Sequence, residues 1–383
     1  MQGSDRHIAH IDLDSFFVSV EQLRDSKLKG KPLLIGGNND RAIVAACSDE
    51  AKKFGIHVAM PMRVAQRLCK YATIIKADFE AYSKFSNTVT EVLKTEVPLM
   101  EKSGIDEFYI DLTGMDKFFG CKKFTHELIR KVYKECGLSS SFGLASNKLV
   151  SKVAAAEDRP KGQLEIPFGF EKPFLAPLSI TKIPGVGEQT AFKLIKMGVE
   201  TIKVLSEVPA NVLCDVLGKV GNELWRRANG IDQSPVVPYK EEKSISTEHT
   251  FQQDTIDMNL LNAEIVRMTE SIAFELRKQN RLTGCIVMKL RYTDGEVYTL
   301  QKSIAYCNQD HQLIDVAKDL FKKIFTRRLL VRMIGVRFTH LIPGIYQIDL
   351  FSDNNQTIKL YQSIDRIKTR FGESLLTRAT RIT

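Results

Sequence analysis

The chain has 383 residues, 43% of them hydrophobic and 26% charged, with a net charge of +9. That length exceeds one ordinary core and predicts two to four domains of a soluble globular protein. No run of about 18 apolar residues exists, which excludes a helical membrane span, and the polar first ten residues predict no secretory leader. The seven cysteines are odd in number and form no C-x-x-C pair, so reduced thiols in a cytoplasmic protein are expected.

In chain order, strands are predicted at 8–13, 32–35 and 42–46, with helices at 15–23, 49–54, 61–68 and 81–96. A strand at 108–112, a helix at 126–136, a strand at 140–145 and a helix at 148–156 follow. Strand and helix alternate, so the first part is α/β or α+β. From 178 to 230 the pattern is short helices and Gly-rich turns. Residues 234–243, with Pro235, Pro238 and a charge cluster, read as a linker. Beyond it come a strand (244–251), a helix (258–280), two strands (282–292 and 296–305), a helix (311–326) and a strand (331–341). Asp294-Gly295 between the middle strands is a favoured tight-hairpin pair. This βαββαβ module has Ile286, Met288 and Leu290 on one face and Lys289 and Arg291 on the other. Residues 277–337 carry 13 Lys or Arg against 5 Asp or Glu. That block fits polyanion binding and equally a solvated basic face. The tail after Pro343 reads as a separate segment.

The strongest chemical signal is acidic residues interrupting apolar strands. Asp12 lies in H-I-D-L-D-S-F-F, which starts at His10, and Asp106-Glu107 lie in G-I-D-E-F-Y-I-D, which starts at Gly104. Burying such groups is costly unless they are paired or bind a cation. Each segment alone also fits a strand-end turn. Together, on adjacent strands, the three carboxylates would repel unless Mg²⁺ offset the repulsion. Two ions about 4 Å apart can activate a hydroxyl and hold a leaving pyrophosphate.

Four segments resemble the Y-family translesion DNA polymerases, and in particular the DNA polymerase IV type. Residues 10–21 are similar to that family's opening motif and 51–61 to its finger segment. Residues 105–111 are similar to its second catalytic motif and 141–154 to the palm segment that follows. The resemblance runs from about residue 6 to 341. It implies an α+β multidomain right-hand polymerase with a palm (1–20 and 78–168), small fingers (21–77), a helix-hairpin-helix thumb (169–236) and a βαββαβ little finger (243–342). It further implies two Mg²⁺ ions. Asp12 and Asp106 would bridge both, Glu107 would bind the catalytic one, and the Leu13 carbonyl would complete the nucleotide-metal shell. Asp14 and Asp111 receive no metal role. Phe17 falls at the steric gate, where a ring would clash with a ribose 2′-hydroxyl.

Some positions depart from the family pattern. Asp49 and Lys52 replace a Tyr and an Arg that face the triphosphate, and Gly104 replaces a Ser. Lys52 keeps charge without the bidentate fork. Arg159 keeps a cation before Pro160 for the triphosphate. Gly185 and Gly187 in I-P-G-V-G resemble a hairpin that binds DNA phosphates, and a plain helix turn also fits them. Gln347, Leu350 and Phe351 resemble a peptide that binds the bacterial sliding clamp, although a terminal strand would read the same. The implied partners are primer-template DNA, deoxynucleoside triphosphates and the clamp, with a cytoplasmic monomer expected. The implied activity is error-prone template-directed synthesis without proofreading. A catalytically weakened or non-catalytic DNA-binding relative is the alternative, and a two-metal nuclease or cyclase a more distant one.

Overall fold

Alternation along the first strand, β1 (Ile8–Leu13), decides which residues meet. Ala9, Ile11 and Leu13 enter one apolar cluster, so Ile8, His10 and Asp12 point to the opposite face. The computed structural model describes residues 6–37, 39, 41–115, 120–238, 241–344, 354–372 and 375–379. They fall into two compact units, one within 1–240 and one within 241–383.

In the first unit β1 leads into α1 (Phe16–Arg24), then β2 (Leu33–Gly36), β3 (Val44–Cys47), α2 (Asp49–Lys52), α3 (Met62–Leu68) and β4 (Thr73–Lys76). β2 pairs antiparallel with β3 and parallel with β4 in a small sheet. Leu34, Val44, Ala51, Ile56 and Met62 form its core. β4 was not anticipated: Thr73 and Lys76 are exposed and Ile74 and Ile75 only half-buried, so its apolar signal is weak.

Next come α4 (Phe79–Glu96), β5 (Met100–Lys102), β6 (Glu107–Asp111), α5 (Cys121–Cys136), β7 (Ser140–Ala145), α6 (Lys148–Glu157) and β8 (Gln163–Glu165). They build a five-stranded sheet ordered β5-β6-β1-β7-β8. Val89, Val92 and Leu93 of α4 and Leu128 and Val132 of α5 cover one face, against Ile11, Phe108 and Phe142. α6 packs against β1 and β7. It starts where the Asn147 side chain accepts the Val150 N–H at 3.0 Å, an N-cap its sequence provides. β5 and β8 have three residues each, too few for a periodic signal.

α7 (Glu171–Leu175), α8 (Glu188–Lys196), α9 (Ile202–Glu207), α10 (Ala210–Leu217) and α11 (Lys219–Ala228) follow, with a 3₁₀ turn at Ile180–Lys182. Leu175, Ile183, Leu194, Leu205 and Leu224 share a core with Val150 and Val153 of α6. The helical segment is thereby fixed to the helix that flanks the first sheet.

The second unit contains β9 (Ser244–Thr255), α12 (Met258–Lys278), β10 (Arg281–Tyr292), β11 (Val297–Cys307), α13 (Asp310–Ile324) and β12 (Val331–Pro343). This is the order of elements read from the sequence. The sheet is antiparallel throughout, ordered β11-β10-β12-β9. Ile286, Met288 and Leu290 are buried with Leu261, Ile265, Leu313 and Phe321 of the two helices. The Asp294-Gly295 hairpin forms, with Gly295 at φ +92° and Asp294 Oδ1 accepting the Glu296 N–H at 3.0 Å.

The tail is not a separate segment where it is described. α14 (Asn354–Phe371) docks on α12 and α13. Arg277, 5% exposed, donates from Nη1 to Asp310 at 2.6 Å and from Nε to Asp365 of α14 at 2.7 Å. Its guanidinium lies 4.8 Å from the Tyr361 ring, which stacks on His311. Neither helix period nor charge announces this contact, because it depends on groups 88 residues apart. Removing one member of a buried ion pair costs about 3–5 kcal/mol. Arg277→Met should therefore lower unfolding free energy of the full chain by about 3 kcal/mol in urea, since Asp310 is left buried. A loss below about 1 kcal/mol would show that the docking of α14 does not depend on this network.

Candidate active site

Asp12 on β1 and Glu107 on β6 are direct partners in the antiparallel register. Both therefore share the face opposite α4 and α5. Asp106 stands one residue before β6, and its carbonyl accepts the Leu13 N–H at 3.0 Å. The structure thus gathers the three predicted acids, with the Leu13 backbone, at adjoining strand ends.

Two cations meet them. Arg159 makes an ion pair with Asp12. Lys152 Nζ lies 2.6 and 2.8 Å from the two carboxylate oxygens of Glu107. One turn earlier on α6, Lys148 bonds Glu101 at 2.6 Å and sits 4.5 Å above the Tyr109 ring. The i, i+4 spacing of Lys148 and Lys152 puts both over β6. His10, fully buried, packs on Tyr109 at 4.6 Å between ring centroids. Burial first, then Lys152, Arg159 and Lys148, hold its pKa well below the usual histidine range. His10 is therefore neutral, and its 4.0 Å approach to Glu107 is not an ion pair.

Burial, then the Glu107 charge, raises the Asp106 pKa above the ordinary carboxylate value. A carboxylate raised in this way gains from a nearby cation. Three hard oxygen donors suit Mg²⁺ by chemistry. As they stand, no three carboxylate, His or Cys groups converge on one point among the described residues. Arg159 and Lys152 hold two of the acids, so these oxygen donors are taken up by side-chain cations here. Asp14 and Asp111, given no metal role, have other partners. Asp14 accepts from Ser141 Oγ at 2.7 Å and from the Lys161 N–H at 3.2 Å. Asp111 accepts the Thr113 N–H at 2.9 Å.

Phe17 is half-buried at the start of α1 and stacks on Tyr82 at 4.5 Å, with Phe79 edge-on at 5.8 Å. Tyr82 Oη donates to buried Glu21 at 2.8 Å, which fixes the stack from behind. The departures from the family pattern also find partners. Lys52 Nζ bonds Asp49 Oδ1 at 2.7 Å, an ion pair between two exposed side chains. At Gly104 a Cβ would meet Asp106 Oδ1 at 3.5 Å, an ordinary contact, so a Ser fits there.

The two hairpin glycines differ. Gly185 has φ +92°, and a Cβ there would lie 2.6 Å from Arg227 Nη1. Arg227 donates to the Pro184 carbonyl and pairs with Glu223, which pins the loop. Gly187 caps α8 and faces open space. In the second unit Lys289 and Arg291 lie on the sheet face away from the helices, as predicted from alternation. Lys289 pairs with Glu248 at 2.9 Å. Arg337, two strand positions away on β12, joins this face and was missed. Gln347, Leu350 and Phe351 lie outside the described residues.

Comparisons with known proteins identify the family. Residues 11–156 match the impB/mucB/samB family and 242–350 that family's C-terminal domain. Residues 181–232 match a domain described as the DNA polymerase-iota thumb domain. The DNA polymerase IV of Dehalococcoides mccartyi strain 195 is 35% identical over 371 residues, covering 96% of this chain and 95% of that protein. The DNA polymerase IV of Listeria monocytogenes strain F2365 is 34% identical, covering 89% and 97%. This chain belongs to the Y-family DNA polymerases, in the DNA polymerase IV group. A solved Y-family DNA polymerase chimera has the same fold, with a TM-score of 0.81 and 24% identity, covering 88% of this chain and 99% of that one.

As a Y-family member the chain is a DNA-directed DNA polymerase, and its substrates are primer-template DNA and nucleotides. Sequence reasoning left Lys152, Lys148, Tyr82 and Arg227 without roles. The i, i+4 lysines after the Asn147 cap were a usable signal. Tyr82 and Arg227 gave none, since their partners are 61 and 43 residues away. Gly185→Ala should destabilise the first unit by about 1–2 kcal/mol, because φ > 0 strains any Cβ, and should displace Arg227 from Pro184. Urea unfolding and DNA affinity measured together test this. An unchanged melt with unchanged affinity would show that the loop does not need glycine.

Proposed function

We propose that this polymerase is an error-prone translesion enzyme working by two-metal phosphoryl transfer without proofreading. The observation that carries the reading is the Asp12–Glu107 register pair beside Asp106, with Arg159 paired to Asp12 and Lys152 to Glu107. In this reading the five-stranded sheet is the palm (1–20 and 78–168) and the small sheet the fingers (21–77). The five short helices are the thumb (169–236), and the βαββαβ unit the little finger (243–342).

Two Mg²⁺ ions, when bound, supply Lewis-acid stabilisation of the attacking and leaving oxygens. Asp12 and Asp106 would hold both, Glu107 the catalytic one, and the Leu13 carbonyl the nucleotide one. The residues of the chain do the rest. Arg159, once off Asp12, carries its charge to the triphosphate with Lys52. Phe17, braced by Tyr82, presents its ring beneath the sugar and excludes a 2′-hydroxyl. The backbone at Gly185 and Gly187 meets DNA phosphates, with the N-terminus of α8 behind it. Lys289 and Arg291 hold the duplex backbone. A finger sheet of three strands leaves little protein over the nascent pair, which favours tolerance of damaged templates. The segment with Gln347, Leu350 and Phe351 is the proposed contact with the sliding clamp of a cytoplasmic, monomeric enzyme.

Primer extension on undamaged and lesion-bearing templates with Mg²⁺ tests the reading. The wild-type chain should extend both, and Asp106→Ala should lose extension while keeping duplex affinity and its steep salt dependence. Asp106→Ala extending at more than a few per cent of the wild-type rate would remove the acid assignment. If the wild-type chain binds primed DNA but does not extend it, the non-catalytic alternative holds instead.

Phe17→Ala should admit ribonucleotides with a much smaller loss of deoxynucleotide incorporation, because the metal-binding acids are untouched. Single-nucleotide kinetics with paired ribo- and deoxynucleotides measure this, and unchanged selectivity would reduce Phe17 to a packing residue. Deleting 347–351 should abolish stimulation by the sliding clamp and leave distributive synthesis intact, since a tether adds effective concentration and no chemistry. Equal stimulation of both forms would rule the segment out.

A further inference from the structure

On the α5 side of the five-stranded sheet, on the face opposite the acids, lies a cleft of about 760 Å³ whose side chains have no role in the proposed reaction. Arg130 and Lys134 of α5 line one wall, Lys161 the other, and Tyr133 and Ser140 complete it. Lys131, also at the rim, is taken up by Glu96 at 2.5 Å and Glu135 at 3.7 Å. Arg130, Lys134 and Lys161 have no ion pair among the described residues, and Glu127 is the remaining carboxylate of the lining. The cleft therefore carries net positive charge.

Ser140 is the second, independent sign. Phe142 and Leu144 of β7 enter the cluster under α4 and α5. Alternation puts Ser140 on that same side, where it lines the cleft. It is 5% exposed, and its hydroxyl has no hydrogen-bond partner among the described residues. A buried hydroxyl left unmatched is costly, and few persist without a use. The neighbouring Ser141, on the opposite face, is fully engaged with Asp14 and the Gly162 N–H.

We propose that this cleft binds a phosphate-bearing small molecule at a site separate from the catalytic acids. Three cations from two elements can surround a phosphate chain, and the Ser140 hydroxyl can donate to one of its oxygens. The volume lies in the range of small-molecule sites, and the exposed Tyr133 ring offers a face to a base. A nucleotide and an inorganic polyphosphate share the recognised chemistry.

The test is equilibrium binding of a fluorescent ATP analogue to the full chain, without DNA and with chelator, so that metal-dependent binding at the acids is suppressed. The wild-type chain should bind saturably. Arg130→Glu with Lys134→Glu should weaken binding by at least about tenfold while retaining primer extension, which shows that the variant folds. Ser140→Ala should weaken binding and yet raise the melting temperature of the free protein, because no hydrogen bond is lost on folding. Inorganic triphosphate should compete and adenosine should not. ATP competing better than triphosphate identifies a nucleotide as the occupant, and equal competition identifies the phosphate chain alone. Three results would overturn the site: no saturable binding up to about 1 mM, binding unchanged in the double variant, or binding lost instead in Arg159→Ala.

Discussion

Repulsion among Asp12, Asp106 and Glu107 is the constraint around which the first unit is arranged. Unit charges 4 Å apart interact by about 4 kcal/mol at an effective dielectric of 20. Strand pairing forces Asp12 and Glu107 side by side, so the fold itself cannot relieve the conflict. Relief comes from α6, which brings Lys152 to Glu107, and from the loop after it, which brings Arg159 to Asp12. Burial first, and then the Glu107 charge, keep the Asp106 pKa raised. In the proposed reading this repulsion favours divalent cations, and the side chains that quiet the free site would then be available to the substrate.

Supporting contacts follow from that arrangement. Lys148 cannot turn towards the acids, because Glu101 and the Tyr109 ring hold it. Glu101 Oε2 also accepts the Val237 N–H at 2.9 Å, which ties the end of the helical segment to the sheet edge. Asp14 anchors the loop of Arg159 by accepting the Lys161 N–H. Asp14, which received no metal role from the sequence, thus holds the loop that carries Arg159. The buried His10 packs its ring on Tyr109, its register partner on β6.

Much of this was legible in the sequence where periodicity or a motif spans neighbouring residues. The alternation at 286–291 placed Lys289 and Arg291 outward, and Asp294-Gly295 placed the hairpin. The two acidic motifs placed the three carboxylates before any strand pairing was known. Short or half-exposed strands were not legible: β4, β5 and β8 bury too little apolar surface to make a pattern. Nor were contacts between distant positions, such as Arg277 with Asp365 or Tyr82 with Glu21. In the structure Asp49 pairs with Lys52, one turn along α2.

In the proposed reading the acids exchange side-chain cations for divalent ones. Manganese binding, followed by electron paramagnetic resonance on the full chain with primer-template and incoming nucleotide, reads this without relying on turnover. The prediction is two ions per wild-type chain, with one lost in Glu107→Gln. Retention of both ions at unchanged affinity in that variant would contradict it.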